Sequence, residues 1–248
     1  MLIPPEILDK PLPPQTQLCR ILTIDSVTAD TRVITVENNH FSFKAGQYAF
    51  VQFEGFEARP YSIACAPNPK TLEFHIKNTG HGASNHASTI LKPGDEVTVT
   101  APFGDNYLRY TDKPLIVIGG GLGIAPMKAI IDAALDLKLH IPIYIFYGVR
   151  KISDLYLETH FLELAKKNNH IHYYPVVSDL DHDESLYQHG NINHCLGKKL
   201  PAHLADYQAY LAGPFDMIEH CANTLLDKGI SLDMMHSDAF QTLNIKSK

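Results

Sequence analysis

Several protein classes are excluded by what this sequence has little of. Its four cysteines, Cys19, Cys65, Cys195 and Cys221, are far apart, whereas a plant-type two-iron, two-sulfur site needs three of its four within about ten residues. Reduced thiols are therefore the expectation, and no iron–sulfur cluster. No apolar run reaches the roughly 18 residues of a membrane-spanning helix. The longest candidate, residues 115–127, is interrupted by glycines, so no membrane insertion is expected. Basic residues are not in excess: 21 Lys and Arg stand against 27 Asp and Glu, a formal charge of -6. That gives no electrostatic footprint for nucleic acid. The N-terminal stretch has prolines at 4, 5, 11, 13 and 14 where a signal peptide needs a continuous apolar core. It reads as an extended arm over residues 1–16, and the protein as cytoplasmic.

What is present is ordinary globular material, 45% hydrophobic and 19% charged, with no solenoid repeat. A length of 248 residues, at about 150 per domain, suits two domains. From 17 to 111 the chain reads as short β-branched and aromatic runs (CRILTID, TRVITVE, QYAFVQF, RPYSIA, TLEFHIK, DEVTVT) separated by turn residues, which predicts a small antiparallel β-barrel. From 112 to 248 apolar strands alternate with helical stretches, PLIVI, 126–138, IPIYIF, 154–167, IHYYPVV, YQAYLA and 214–228. That rhythm predicts a doubly wound parallel α/β domain. The fold class is thus α+β in two domains.

In the second half, LIVIGGGLGIAPMKAI places Gly119, Gly120, Gly121 and Gly123 between a strand and a helix, where backbone N–H groups and the helix dipole hold a pyrophosphate. Pro126 stands where the usual fingerprint has its third glycine, and suits a first helical turn. In the first half, Arg59, Pro60, Tyr61 and Ser62 open a strand and combine a cation, an aromatic ring and a hydroxyl, the three things a flavin needs. Thr79 to Asn85 reads as a loop of small residues able to close backbone N–H groups on a phosphate.

Together, RPYS and the later GGGLGIAP resemble the ferredoxin-NADP reductase family of flavoproteins. The resemblance extends to PGDEVTVTAPFG (93–104), YGVR (147–150), YLAGPFDM (210–217) and SDAF (237–240), nearest to bacterial NAD(P)H:flavin reductases of the Fre and LuxG type. It implies that Arg59 binds the flavin phosphate, Tyr61 lies against the isoalloxazine and Ser62 hydrogen-bonds near the hydride-accepting nitrogen, Tyr61 and Ser62 being the catalytic pair. Gly82, Ala83 and Ser84 are implied as a second phosphate contact. Gly120, Gly121, Gly123 and Pro126 would shape the pyridine-nucleotide site, with Gly213 and Pro214 at its nicotinamide end, and Asp238 and Phe240 near the flavin. Two departures matter. Ala212 replaces a cysteine common in the family before Gly-Pro. The 82–84 loop, largely lacking in the flavin reductases, implies a more tightly held flavin.

The cofactors implied are FAD or FMN, with NADH or NADPH as hydride donor in a cleft between the domains. Arg150 is a candidate contact of the adenosine ribose or a 2′-phosphate. Asp179, after IHYYPVV, would repel a 2′-phosphate and accept from ribose hydroxyls, which favours NADH. The 14 histidines include a His170-x-His172 pair with no carboxylate or cysteine at local ligand spacing, so no metal site is assigned. His81 and His86 flank the proposed phosphate loop, and as imidazolium would favour flavin affinity below neutral pH. The reading is an NAD(P)H:flavin reductase. A reductase component passing electrons to a separate ferredoxin or oxygenase, and a non-catalytic nucleotide-binding partner or sensor, are the alternatives.

Overall fold

The computed structural model describes residues 12–68, 70–180 and 186–241, with the backbone alone of Phe240 and Gln241. The first eleven residues of the expected arm and Asp181 lie outside these. Contacts divide the chain into two compact units. One runs up to Tyr110 and includes Lys128–Leu137; the other comprises Thr111–Met127 and the chain from Lys138.

Among the described residues, the first unit has one antiparallel sheet: β1 (Gln15–Ser26), β2 (Thr31–Glu37), β3 (Tyr48–Gln52), β4 (Arg59–Ser62), β5 (Thr71–Lys77) and β6 (Glu96–Phe103), in the order β4-β3-β6-β1-β2-β5. β1 does the wrapping. Its first half, Gln15 to Arg20, pairs with β6, and its second, Ile21 to Ser26, pairs with β2, with an irregularity between Ile21 and Thr23. Such a slip bends a strand and raises its twist. A bridge from Ile63 to Phe74 then brings the end of β4 onto β5, so the sheet is a nearly closed six-stranded barrel. Alternating residues fill it: Leu72, Phe74 and Ile76 from β5, Ala49 and Val51 from β3, Val97, Val99 and Ala101 from β6. Each large aliphatic or aromatic side chain so buried contributes about 1.5–3 kcal/mol.

β1 begins at Gln15, two residues inside the stretch read as arm. A larger correction is helix α1 (Gly82–Thr89), which overlaps the stretch Thr79 to Asn85 whose small polar residues predict a loop. Small polar residues are weak helix formers, and here Ala87, fully buried in the barrel core, anchors the helix.

In the second unit β7 (Leu115–Gly120), β8 (Ile143–Val149), β9 (Ile171–Val177), β10 (Gln188–His189), β11 (Gln208–Ala212) and β12 (Met235–His236) form a parallel sheet in the order β10-β9-β8-β7-β11-β12. Helix α2 (Ile124–Asp136) starts in this unit, its residues from Lys128 belonging to the first, and helices α3 (Glu158–Lys167), α4 (Ile192–Lys199) and α5 (Phe215–Asp227) accompany the sheet. All six residues of β7 are buried, as a central parallel strand covered on both faces requires. Cys195 and Leu196 of α4 pack with Ile218, Cys221, Ala222 and Leu225 of α5 in one core. Helix α4 and the two-residue strands went unread, being too short to show a period. β8 runs to Val149 rather than ending at Phe146, because Tyr147, Gly148 and Val149 each continue the pairing with β9.

Within the first unit, Lys128 carries the main buried ion network. Its ammonium lies 3.1 Å from Asp132 and 3.3 Å from Glu73, and donates to the Ala64 carbonyl at 3.1 Å. Glu73 also meets His75 Nε2 at 2.9 Å. Burial opposes ionisation of both partners, but it is outweighed. The two carboxylates raise the Lys128 pKa, and the His75 hydrogen bond with the Lys128 charge lowers that of Glu73. Removing one member of such a set leaves an uncompensated buried charge. Lys128→Met is expected to destabilise the protein by about 3 kcal/mol in urea unfolding at pH 7. A depressed Glu73 pKa means stability present above about pH 4.3 and lost as pH falls through the folded value. Glu73→Gln should therefore flatten the stability profile below about pH 4.5.

Candidate functional site

Register decides which way each residue of β4 faces. Tyr61 is paired with Ala49 and Arg59 with Val51, while Ser62 is paired with Tyr48 and Pro60 with Phe50. Ala49 and Val51 are core residues, so Arg59 and Tyr61 share the barrel-interior side and Ser62 shares the outer face with Tyr48. Tyr61 is half-buried, its ring centroid 6.2 Å from that of Phe53. Burial raises its pKa, against the nearby Arg59 charge, which lowers it. Arg59 is exposed, its guanidinium making a 3.7 Å contact with Glu57, which is more exposed still.

The start of α1 stands beside these groups. Ala83 and Tyr61 pack on the same barrel core, and His86 of α1 has its ring centroid 5.0 Å from Phe56 and 6.5 Å from Phe53. His81, the residue before α1, makes no side-chain cap, and the first turn holds no acidic residue. The backbone N–H groups of Gly82, Ala83 and Ser84 therefore keep their hydrogen-bonding capacity, at the positive end of the helix dipole. Gly80 and Gly82 have φ of +83° and +61°, with open space where a Cβ would stand. The Ser84 hydroxyl lies 2.7 Å from Thr79 Oγ1 and accepts from the Thr79 N–H at 3.2 Å. It closes the turn, so what Ser84 offers an anion is its backbone N–H.

A guanidinium, an uncapped helix start and a half-buried phenol ring fit a phosphate-bearing planar heterocycle. Sequence reasoning missed Phe53 and Phe56. The three-residue spacing of Phe50, Phe53 and Phe56 just before RPYS was the available signal.

The glycines of the second unit fall into two kinds. A Cβ on Gly123 would lie 2.3 Å from the Ala212 carbonyl oxygen, and one on Gly120 would lie 2.4 Å from Met217 Sδ and 3.0 Å from Pro214 Cδ. One on Gly119 would sit 2.7 Å from Ile124 Cα. These three let the β7–α2 turn press against α2 itself and the β11–α5 turn, where Gly213 has φ +145°. Gly121 alone is exposed, at φ +55° with nothing within 4 Å of a Cβ. Pro126 is buried in the first turn of α2, where a missing N–H costs nothing. The turn lies between β7 and β11, where strand order reverses and α/β proteins bind nucleotides.

At the far ends of β8 and β9, the Ser178 N–H donates to the Val149 carbonyl at 3.1 Å and the Asp179 N–H to the Arg150 carbonyl at 2.9 Å. The Ser178 hydroxyl donates to the Asp179 carboxylate at 2.8 Å. Arg150 and Asp179 are exposed. Asp238 begins a three-ten turn, Asp238–Gln241, whose Ala239 packs on the second-unit core. The Phe240 side chain lies outside what is described.

Residues 18–117 match an FAD-binding domain, and residues 117–223 match an oxidoreductase NAD-binding domain. The "probable flavin reductase" of Photobacterium leiognathi is 30% identical over 232 residues, 90% of this chain and 97% of the relative. The chain belongs to the ferredoxin-NADP reductase family of flavoproteins. It is a flavin-dependent NAD(P)H oxidoreductase, with FAD- and NAD-binding domains in succession. Its likeness extends to the ferredoxin–NAD(P)+ reductase component of the naphthalene 1,2-dioxygenase system of Pseudomonas putida, 31% identical over 89% of this chain and 67% of the relative. Among solved structures, the Amycolatopsis cytochrome P450 reductase GcoB superposes with a TM-score of 0.84 at 27% identity, over 91% of this chain and 70% of that one. No helix among the described residues of this flavoprotein is long and apolar enough to cross a membrane.

The two kinds of glycine predict different costs. Gly123→Ala drives a methyl group into backbone that cannot yield, and is expected to destabilise by at least about 3 kcal/mol. Gly121→Ala meets only backbone strain, about 1 kcal/mol. Thermal unfolding of the two variants checks the order.

Proposed function

We propose that this protein is an NAD(P)H:flavin reductase that holds its flavin as a bound group and prefers NADH. The observation that carries the reading is the pair of anion cradles, one in each matched domain: Arg59 with the α1 start, and the glycine turn of α2. When bound, the flavin supplies the hydride-accepting ring. Arg59 and the N–H groups of Gly82, Ala83 and Ser84 hold its phosphate, Tyr61 offers its ring face, and Ser62 offers a hydroxyl near the accepting nitrogen. Gly120, Gly121, Gly123 and Pro126 position the pyrophosphate of the donor, with Gly213 and Pro214 toward its nicotinamide end. No general acid or base is needed for hydride transfer itself.

The NADH preference rests on Asp179. Its carboxylate, steadied by Ser178, accepts hydrogen bonds from a ribose diol and repels a 2′-phosphate; Arg150 beside it argues for phosphate. A cytoplasmic location is supported by the four free thiols and by the need for reduced nicotinamide. The likeness to the naphthalene dioxygenase reductase supports a second reading, delivery of electrons to a separate ferredoxin or oxygenase protein. Adding a ferredoxin to the assay separates the two.

The visible spectrum of the protein after desalting, before and after anaerobic NADH, tests the main reading. Flavin bands that survive desalting and bleach are expected. A colourless protein that turns over only with added flavin would make flavin a substrate, and no bands with no turnover would overturn the reading. Arg59→Gln should weaken flavin binding about 10- to 100-fold, the loss of a charged hydrogen-bonding partner.

For the donor, kcat/KM should be higher with NADH than with NADPH, and Asp179→Asn should narrow the gap about tenfold. Equal values in the unaltered enzyme would remove the preference.

A further inference from the structure

The strand that carries RPYS is secured just past its end. β4 closes one side of the sheet order, and along its four residues it pairs with β3 alone. Directly after it the chain is gripped from several sides. The Ile63 N–H donates to the Gln47 carbonyl at 3.0 Å, and the Ala64 N–H to the Glu73 carbonyl at 2.8 Å. The Ala64 carbonyl accepts from the Lys128 ammonium at 3.1 Å. Ile63 and Ala64 are both fully buried, and a buried carbonyl stripped of its donor is costly. Backbone at this point moves if the ammonium is taken away.

The donor comes from α2, 64 positions along the chain, and it is itself held in place. Asp132, one helical turn on, lies 3.1 Å from the ammonium, and Glu73 lies 3.3 Å from it. Glu73 thus serves both sides of Ala64, its carbonyl taking the Ala64 N–H and its carboxylate steadying the cation on the Ala64 carbonyl. Ser62 stands two residues before this grip, at most about 7 Å of chain away. Reactions between oriented groups are sensitive to such placement, an error of about 1 Å costing on the order of 100-fold in rate.

We propose that Lys128 is a positioning residue for flavin reduction: by holding the Ala64 carbonyl it fixes the end of β4, and with it the point at which Ser62 presents its hydroxyl. This rests on the reading of RPYS as the flavin strand. Lys128 acts through Ser62 and not on the reacting atoms, and this role is separate from what its charge contributes to stability.

The test is a double-mutant cycle read as the rate of flavin reduction by NADH, followed anaerobically by stopped flow on the flavin-loaded full chain below its thermal midpoint. One arm is Ser62→Ala. The other is Lys128→Met with Glu73→Gln, which removes the ammonium together with a carboxylate and so limits the buried charge left behind. The third variant carries all three changes. Glu73→Gln alone keeps the bond from Lys128 to Ala64 and is the control. The saturating rate is expected to fall about 10- to 100-fold in Lys128→Met/Glu73→Gln, with the NADH concentration for half-maximal rate within about twofold, while Glu73→Gln stays within about threefold of the parent. On top of Ser62→Ala the same pair should cost less than about threefold more, because the hydroxyl it positions is gone.

A rate within threefold of the parent in Lys128→Met/Glu73→Gln overturns the inference. So does the full loss repeated on top of Ser62→Ala, which marks a general structural defect. Should the pair not fold, Lys128→Gln, which shortens the side chain and keeps it polar, is read against the same limits. A parent whose flavin neither NADH nor NADPH reduces removes the proposed function, and an unaffected Ser62→Ala removes the role of Ser62; this inference falls with either. An affected Ser62→Ala beside an unaffected Lys128→Met/Glu73→Gln removes this inference alone.

Discussion

Between the β7–α2 turn and the loop leaving β11 there is no space for a side chain. Gly123 meets the Ala212 carbonyl, and Gly120 meets Pro214 and Met217. This contact joins the two strands at which the sheet order reverses, and so fixes the start of both α2 and α5. The glycines do not all serve a ligand. Three of them remove Cβ atoms from close contacts within the chain, and Gly121 alone of the four opens onto solvent. The free turn can then present N–H groups because its neighbours are immobilised against α5.

In the barrel, the equivalent constraint is the register of β3 with β4. Period-2 alternation sends Tyr61 toward the core and Ser62 to the outer face beside Tyr48, so a short motif spreads its chemistry over both faces of an edge strand. A slip of one residue would exchange the two. The bend of β1 and the Ile63–Phe74 bridge hold that register by closing β4 toward β5. The orientation of the RPYS side chains therefore depends on strand pairings far from it in sequence.

Much of this was legible from the chain. TRVITVE, TLEFHIK and IHYYPVV coincide with β2, β5 and β9, because short runs rich in β-branched and aromatic residues between turn residues favour strand over helix. The glycine turn was legible because a glycine cluster where a strand gives way to a helix marks a tight turn, although Gly119 and Gly120 prove to end β7 and the turn itself is Gly121–Gly123. Helix α1 was not, since GASNHAST has weak intrinsic preference and forms because Ala87 finds the barrel core. Lys128 was not either. Its partners are a neighbour on its own helix and residues 55 or more positions earlier, and nothing local distinguishes it from a surface lysine. Phe53 and Phe56 were read as strand and turn material, because only the fold shows that they meet His86.

The contrast between Lys128 and Arg59 separates a cation already satisfied within the fold from one whose charge is still available. Lys128 already has two carboxylates and a carbonyl within 3.3 Å, so it offers no uncompensated charge, and its loss is felt as stability. Arg59 has one long contact with Glu57, both side chains mostly in water, where such a pair is worth little. Exchanging it for a phosphate gives up almost nothing and gains paired N–H donors on an anion. Burial alone cannot pick out a cation available to a ligand, since the more buried of the two is the one already satisfied. The discriminating property is unspent hydrogen-bonding capacity, and in the barrel unit Arg59 and the uncapped start of α1 have it beside the same half-buried ring.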